Sequence, residues 1–192
     1  MSENEYNLTR RIEAYDAQIQ SAIKEFPRGK FYEEMVLGTV IQHKNTGHIR
    51  SEDNHVFCMI TTNMQPIHTD LAAANIMGFD GVVVNGLYGL SLVVGLSVDE
   101  ETTDGTLKLN LGYDKVNQTK PLQIGDVVSA ETTFIGKRES KKYWPDMGVV
   151  TMKIVGYRQG VGDDTREQFL ELERSGLVYT RTGFQKVIAS QK

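Results

Sequence analysis

The feature that most constrains the fold is an apolar segment at residues 81–98. Residues 87–96 are hydrophobic or small almost without interruption, so a helix here would have an apolar surface on every side. Asn85 and several glycine and serine positions argue against a membrane span, which needs about 20 predominantly apolar residues. The segment therefore predicts a helix buried within the protein. Gly89 and Gly95 suggest that other elements pack closely against its backbone.

The chain after residue 106 alternates between apolar and polar residues, as strands do when one face of a sheet is buried. Four alternating sets begin near residues 107, 128, 150 and 178, and the last extends to residue 188. Between the last two sets, residues 166–174 have the spacing of a short amphipathic helix or a lid. A curved antiparallel sheet wrapped around the apolar helix would bury both, so we predict an α+β fold.

The amino-terminal half predicts shorter elements. Residues 8–25 have helical spacing, and Pro27-Arg28-Gly29 ends that helix, so we expect a helical extension over residues 1–29 and one domain over residues 30–192. A strand is expected around residues 36–42. Two short helices should follow. We expect the first over residues 51–61, with Ser51 as its N-cap, and the second over residues 71–77, with Asp70 as its N-cap.

The composition excludes several classes of protein. With 21 basic and 25 acidic side chains the net charge is −4, which removes the bulk electrostatic argument for a nucleic-acid partner. A single cysteine, Cys58, excludes an internal disulfide framework and any CxxC site. The acidic, polar start does not resemble a secretory signal. We therefore expect a cytoplasmic protein with neither a nucleic-acid nor a membrane partner.

Motifs for nucleotides, hydrolase nucleophiles and metals are weak or absent in the sequence. It contains no dinucleotide-binding or Walker glycine loop and no GxSxG motif. His55 and Cys58 are three residues apart on a predicted helix, but two ligands without a third do not predict a metal site, and we expect none. The basic residues 137–138 and 141–142 fit either a solvated hairpin tip or a docking site for a phosphorylated group.

Asn63 and His68 lie on either side of Pro66, between the two short predicted helices. Such a turn is rigid and can direct two side chains towards one point. A neutral imidazole can act as a base, and an amide can hold a water molecule or donate to an oxyanion. The alternative is that His68 caps the following helix and Asn63 only closes the turn.

The surrounding segment, residues 57–74, resembles the motif of MaoC-like, or hydratase-2, enoyl-CoA hydratases, which have the hot-dog fold. The residues and segments that match are Phe57, Ile60, Thr61, Pro66, Ile67, His68 and Ala74, together with 31–38 and 121–126. Asn85-Gly86 is similar to the pair that opens the central helix in this family. The resemblance covers about residues 30–160.

The sequence departs from the family pattern at two places. Thr62-Asn63 stands where most members have Gly-Asp, and Gln65 replaces an asparagine. In the family the aspartate and the histidine together activate water. Since Asn63 cannot take a proton, either His68 is the only base or hydration is lost. A branch similar to mesaconyl-CoA or itaconyl-CoA hydratases shares the pattern of residues 63–70.

The resemblance implies a hydro-lyase acting on an enoyl-CoA, with Asn63 and His68 as catalytic residues and Asn85 and Gly86 binding the substrate. The Gly86 amide would bind the thioester carbonyl. CoA is then part of the substrate, no separate cofactor is needed, and at least a homodimer is expected. Two alternatives are a non-catalytic acyl-CoA-binding protein and a thioesterase, which would usually need a carboxylate that residues 86–98 do not offer.

Overall fold

The structure, a computed structural model, describes residues 26–140 and 144–190. Within these ranges it contains six strands and four α-helices. In chain order they are β1 (Val40–Gln42), β2 (Gly47–His48), α1 (Ser51–Ile60), α2 (Leu71–Ile76), α3 (Gly86–Leu96), β3 (Leu107–Gln118), β4 (Val127–Glu139), β5 (Met147–Gln159), β6 (Glu167–Tyr179) and α4 (Arg181–Ala189). The helix expected at residues 8–25 lies outside the described residues, and with it most of the expected extension.

The strands form one antiparallel sheet in the order β1-β4-β5-β6-β3, and β2 pairs with the other end of β4. The long strands β4, β5 and β6 lie in the middle, and β3 forms one edge. Helix α3 packs against one face of this sheet. The predicted α+β architecture, an antiparallel sheet around a central helix, is therefore confirmed.

The inner face of the sheet explains the alternation in the sequence. The buried residues that share this face are Val128, Ala130, Thr132 and Phe134 on β4, Val150, Met152 and Ile154 on β5, and Leu170, Leu172 and Val178 on β6. Glycines bring the helix and the sheet close together. A Cβ atom at Gly89 would lie 2.7 Å from Leu122, and one at Gly156 would lie 2.6 Å from Val93. The close packing expected at Gly89 is confirmed.

One stripe of α3 is exposed in the part of the chain that the structure describes. Leu87, Ser91 and Gly95 recur every fourth residue, and all three are exposed; Leu87 is 55% exposed. Among the described residues, nothing lies within 4 Å of a Cβ atom at Gly95. Within this part of the chain the helix is therefore not wrapped on every side, and the close packing expected at Gly95 is not found, because the sheet covers only part of the helix circumference.

Two predicted elements have the opposite secondary structure: an expected helix is a strand, and an expected strand is a helix. Residues 166–174, expected as a helix or lid, belong mostly to β6, since that strand is paired on both sides with β5 and β3. The residues after Tyr179, expected as a strand, form α4, because the Thr180 side chain accepts a hydrogen bond from Gly183 N and caps a helix. The helix then packs Phe184 against Phe31.

Two smaller boundaries also differ from the expectations. The strand expected at residues 36–42 is shortened to β1, because Gly38 adopts a φ of 82° and turns the chain. Ser51 is the first residue of α1 and not its cap, since Arg50 occupies the N-cap position without a side-chain hydrogen bond. Among the described residues, no helix is both long and apolar enough to cross a bilayer.

His43 forms a buried polar network at the far end of α3. Its Nδ1 lies 2.6 Å from the Asp99 carboxylate and its Nε2 lies 2.8 Å from the Thr132 hydroxyl. Asp99 follows α3 and Thr132 belongs to the inner face of β4. Because Thr132 is fully buried, no substrate reaches its hydroxyl. The network therefore ties the end of the helix to the sheet.

Candidate active site

The turn between α1 and α2 holds His68 in place from both sides. His68 ends a single 3-10 turn that begins at Pro66. The Asp70 side chain accepts hydrogen bonds from the Ala72 and Ala73 amides and caps α2, as predicted. His68 is therefore not the cap, and the alternative reading of this histidine is wrong.

The start of the same turn has an unfavourable backbone conformation at a position where the sequence departs from the pattern that it resembles. Thr62, which stands at the position of the family's glycine, has a φ of 57°. This left-handed region favours glycine, because a side chain with a Cβ atom is crowded there. Asn63 follows on the exposed side of the turn.

The His68 ring is held in one tautomer by the backbone. Its Nδ1 lies 2.8 Å from the Val83 carbonyl oxygen, and a carbonyl can only accept a hydrogen bond. Nδ1 therefore carries a proton and donates the hydrogen bond to Val83, so in the neutral imidazole the lone pair is on Nε2. The side chain is half-buried at the edge of a cavity. A neutral imidazole in this state can act as a base.

The cavity, of about 290 Å³, lies between the His68 turn, the start of α3 and the end of β3. Its wall brings together three of the four predicted site residues, His68, Asn85 and Gly86, and adds Gln118 and Lys120. Asn63 is exposed and is not part of this wall. Its role in holding a water molecule stays a prediction.

The start of α3 is arranged so that one backbone amide remains available. Asn85 is buried, and its Oδ1 accepts a hydrogen bond from the Leu87 amide at 3.0 Å. The Asn85 carbonyl accepts from the amides of Tyr88 and Gly89. Within the described part of the chain, the Gly86 amide donates to no protein group. The Gly86 N–H, at the positive end of the helix dipole, can therefore bind an oxyanion.

Gln118, at the end of β3, is a neighbour of Gly86 that the sequence did not indicate. Its Nε2 donates to the Gly86 carbonyl at 3.0 Å. A Cβ atom at Gly86 would collide with the Oε1 atom of Gln118. With Gln118 in this conformation, there is no room for a side chain at Gly86. No motif marks Gln118, since it is an ordinary polar residue at the end of a strand.

A second missed residue, Asn54, lies beneath the site. It is 2% exposed, and it is one of two buried residues of α1, with Cys58 one turn later. Its side chain bonds to the backbone of both His68 and Asn85. The Asn85 Nδ2 atom lies 3.7 Å from Cys58 Sγ. The sequence signal for Asn54 was weak: it is a polar residue four positions before Cys58, on the same face of the helix.

Tyr88 adds a neutral hydroxyl to the first turn of α3. Its ring packs against Phe57 with the ring centroids 5.4 Å apart. Burial, and to a smaller extent the Asp53 carboxylate, raises the pKa of the Tyr88 hydroxyl. The group therefore stays protonated at neutral pH and is suited to donating a hydrogen bond.

The His55–Cys58 pair does not form a site, and the basic residues 137–138 and 141–142 are described only in part. His55 is exposed whereas Cys58 is fully buried, so the two do not present ligands to a common metal ion. Lys137 donates to the Met35 carbonyl at 2.7 Å and lies over the Tyr32 ring, which makes it part of the packing. The basic residues 141–142 lie outside the described residues.

Comparisons with known proteins identify the family of this chain. Residues 33–153 match the family described as "MaoC like domain". A mesaconyl-CoA hydratase of Cereibacter sphaeroides is 26% identical over 131 residues, which cover 68% of this chain and 37% of that protein. This chain therefore spans little more than a third of the length of that curated relative.

Two solved structures share the fold. A putative MaoC domain protein dehydratase from Chloroflexus aurantiacus is 25% identical, with a TM-score of 0.70 and coverage of 80% of this chain and 41% of the other. A conserved hypothetical protein of Mycobacterium tuberculosis, described as a double hot-dog fold, is 17% identical, with a TM-score of 0.67 and coverage of 80% and 45%. Since the matched segment is more than half of its length, the chain belongs to the family of MaoC-like domain proteins.

Proposed function

We propose that this protein catalyses the reversible addition of water to the double bond of an enoyl-CoA thioester. The observation that carries the proposal is that one cavity is lined both by His68, whose Nδ1 is bound to the Val83 carbonyl, and by Gly86, whose amide donates to no group among the described residues. The first is a base and the second an oxyanion donor, and hydration of an unsaturated thioester requires both. Membership of the MaoC-like family supports the same reaction.

The mechanism assigns one step to each group. The Gly86 amide binds the thioester carbonyl and, with the helix dipole, stabilises the enolate that develops there. His68 Nε2 takes a proton from water, and the resulting hydroxide adds to the β-carbon. The proton then returns to the α-carbon, and the reverse sequence is dehydration. We keep Asn63 as the residue that orients the water, because it lies on the same turn as His68.

For the substrate we propose a short branched dicarboxylyl-CoA such as mesaconyl-CoA or itaconyl-CoA. The support is the similarity to a mesaconyl-CoA hydratase and the shared pattern around His68. CoA enters as part of the substrate, so the proposal includes no separate cofactor.

Mass spectrometry of the products separates this function from its alternatives. The enzyme is incubated with crotonyl-CoA, mesaconyl-CoA and itaconyl-CoA. Gain of one water with the thioester intact is expected, and faster with a dicarboxylyl substrate. Release of free CoA would instead identify a thioesterase. If no product forms and a separate titration shows that the acyl-CoA binds, the protein is an acyl-CoA-binding protein. Faster turnover of crotonyl-CoA would keep the reaction and overturn the substrate class.

We further propose that two copies associate through apolar surfaces that are exposed on the described residues. The exposed stripe of α3 is one of them, and the edge strand β3 is another, with Leu109 and Leu111 each nearly half exposed. The similarity to one half of a double hot-dog protein supports the pairing, since a second copy would replace the other half.

Light scattering after size exclusion tests the pairing, and it is expected to give twice the mass of one chain. Leu111→Lys, on the edge strand, is expected to shift the protein towards single chains, because burying a charge at an apolar interface is unfavourable. Val161→Lys is the matched control, since Val161 is 86% exposed on a loop. A wild-type protein with the mass of one chain would contradict the proposal.

A further inference from the structure

Asn54 joins the base and the oxyanion donor through two hydrogen bonds. Its Nδ2 donates to the His68 carbonyl oxygen at 2.9 Å, and its Oδ1 accepts from the Asn85 amide at 2.9 Å. Because a carbonyl only accepts and a backbone N–H only donates, these partners fix the orientation of the side-chain amide. Neither a carboxylate nor an aliphatic side chain of similar size can make both bonds.

The backbone partners of Asn54 are the ones that determine the site geometry. One belongs to His68 itself, and the other belongs to the residue directly before Gly86. A separate set of bonds ties the same segments together, since Val83 accepts from the His68 ring and its amide donates to Ile67 at 3.0 Å. Asn54 contributes the link from α1, so three segments of the chain meet at this side chain.

We propose that Asn54 is a positioning residue that sets the distance and angle between the His68 imidazole and the Gly86 amide. The proposal rests on the hydratase function proposed above. Asn54 is buried and is not part of the cavity wall, so it touches no substrate and acts only through the two backbone segments. Its loss should lower kcat and leave KM nearly unchanged, because a misplacement of about 1 Å can cost about 100-fold in rate.

The Asn54→Asp variant makes this role depend on pH. A protonated carboxyl can still donate to the His68 carbonyl and accept from the Asn85 amide, so it replaces the asparagine. An ionised carboxyl has no donor and places a negative charge against the His68 carbonyl oxygen. Burial favours the protonated form and so raises the pKa of the introduced carboxyl group, which moves its ionisation closer to neutral pH. We therefore expect kcat of the variant to approach the wild-type value at acidic pH and to fall about 100-fold below it at alkaline pH.

Two controls separate positioning from general stability. Asn75→Asp introduces the same charge at an exposed position of α2 and should follow the wild-type profile at every pH. Asn54→Ala should lose kcat by a factor that does not depend on pH. Circular dichroism and thermal unfolding of each variant across the pH range show whether the fold persists wherever kcat is measured.

The outcomes are distinct. A ratio of wild-type to Asn54→Asp kcat that stays constant with pH in a folded variant would overturn the positioning role alone. So would a pH-dependent loss that appears equally in KM, or one that follows unfolding. A wild-type protein that hydrates no enoyl-CoA would overturn the proposed function and this inference with it.

Discussion

His68→Ala is expected to reduce the hydration rate by about 100- to 10,000-fold, which is the usual contribution of a general base. The variant lacks the imidazole that lines the cavity, and no other imidazole lines this cavity among the described residues. The acyl-CoA should still bind, since the Gly86 amide is unchanged, so the loss is expected in kcat. Initial rates over a range of substrate concentrations measure this.

The fold of the His68→Ala variant should persist. The side chain is half-buried and its hydrogen bond is to the Val83 carbonyl, so its removal should cost about 1 kcal/mol of unfolding free energy. His55→Ala is the matched control, because His55 is exposed on α1. It should keep the wild-type rate. A folded His68→Ala variant with near wild-type kcat would show that another group is the base.

Gly86→Ala is expected to have the second largest effect, a loss of about 100- to 1,000-fold, similar to the removal of one oxyanion-hole donor. The added methyl group would lie at the start of α3, where the thioester carbonyl must approach the Gly86 amide. It would also collide with Gln118 Oε1, but this atom ends a flexible, exposed side chain that can move. The fold should therefore survive, and kinetic assays with thermal unfolding test both statements.

Two further variants identify the cause of that loss. Gly81→Ala changes a glycine shortly before the same helix. Nothing lies within 4 Å of a Cβ atom there among the described residues, and Gly81 has no positive φ, so this variant should keep full activity. In Gly86→Ala combined with Gln118→Ala, the loss should remain. Restored activity would show that the Gln118 side chain, and not obstruction of the substrate, caused it.

Much of the site was predictable because it depends on local rules. The apolar run of α3 predicts that most of this helix is buried. The alternation of apolar and polar residues in β4 and β5 predicts which of their residues face inwards. Asp70 precedes α2 with the side chain that an N-cap requires. His68 and Gly86 were found by resemblance, and the structure adds that they border one cavity.

The errors occurred where distant contacts decide the structure. Residues 166–174 are short enough to fit either period, and only pairing with β5 and β3 makes them a strand. Asn54 could not be found because its partners are backbone atoms of two remote segments, which carry no side-chain signature. The exposed stripe of α3 was missed because a sequence shows which helix is apolar but not how much of it one chain covers.

The measurement that tests the central claim most directly is the loss of enoyl-thioester absorbance when the wild-type protein is added to crotonyl-CoA, mesaconyl-CoA and itaconyl-CoA. His68→Ala and Gly86→Ala are measured in parallel. We expect an absorbance loss with at least one dicarboxylyl substrate, and its near absence in both folded variants. An unchanged absorbance with every substrate, or equal rates in wild type and His68→Ala, would contradict hydration at this cavity.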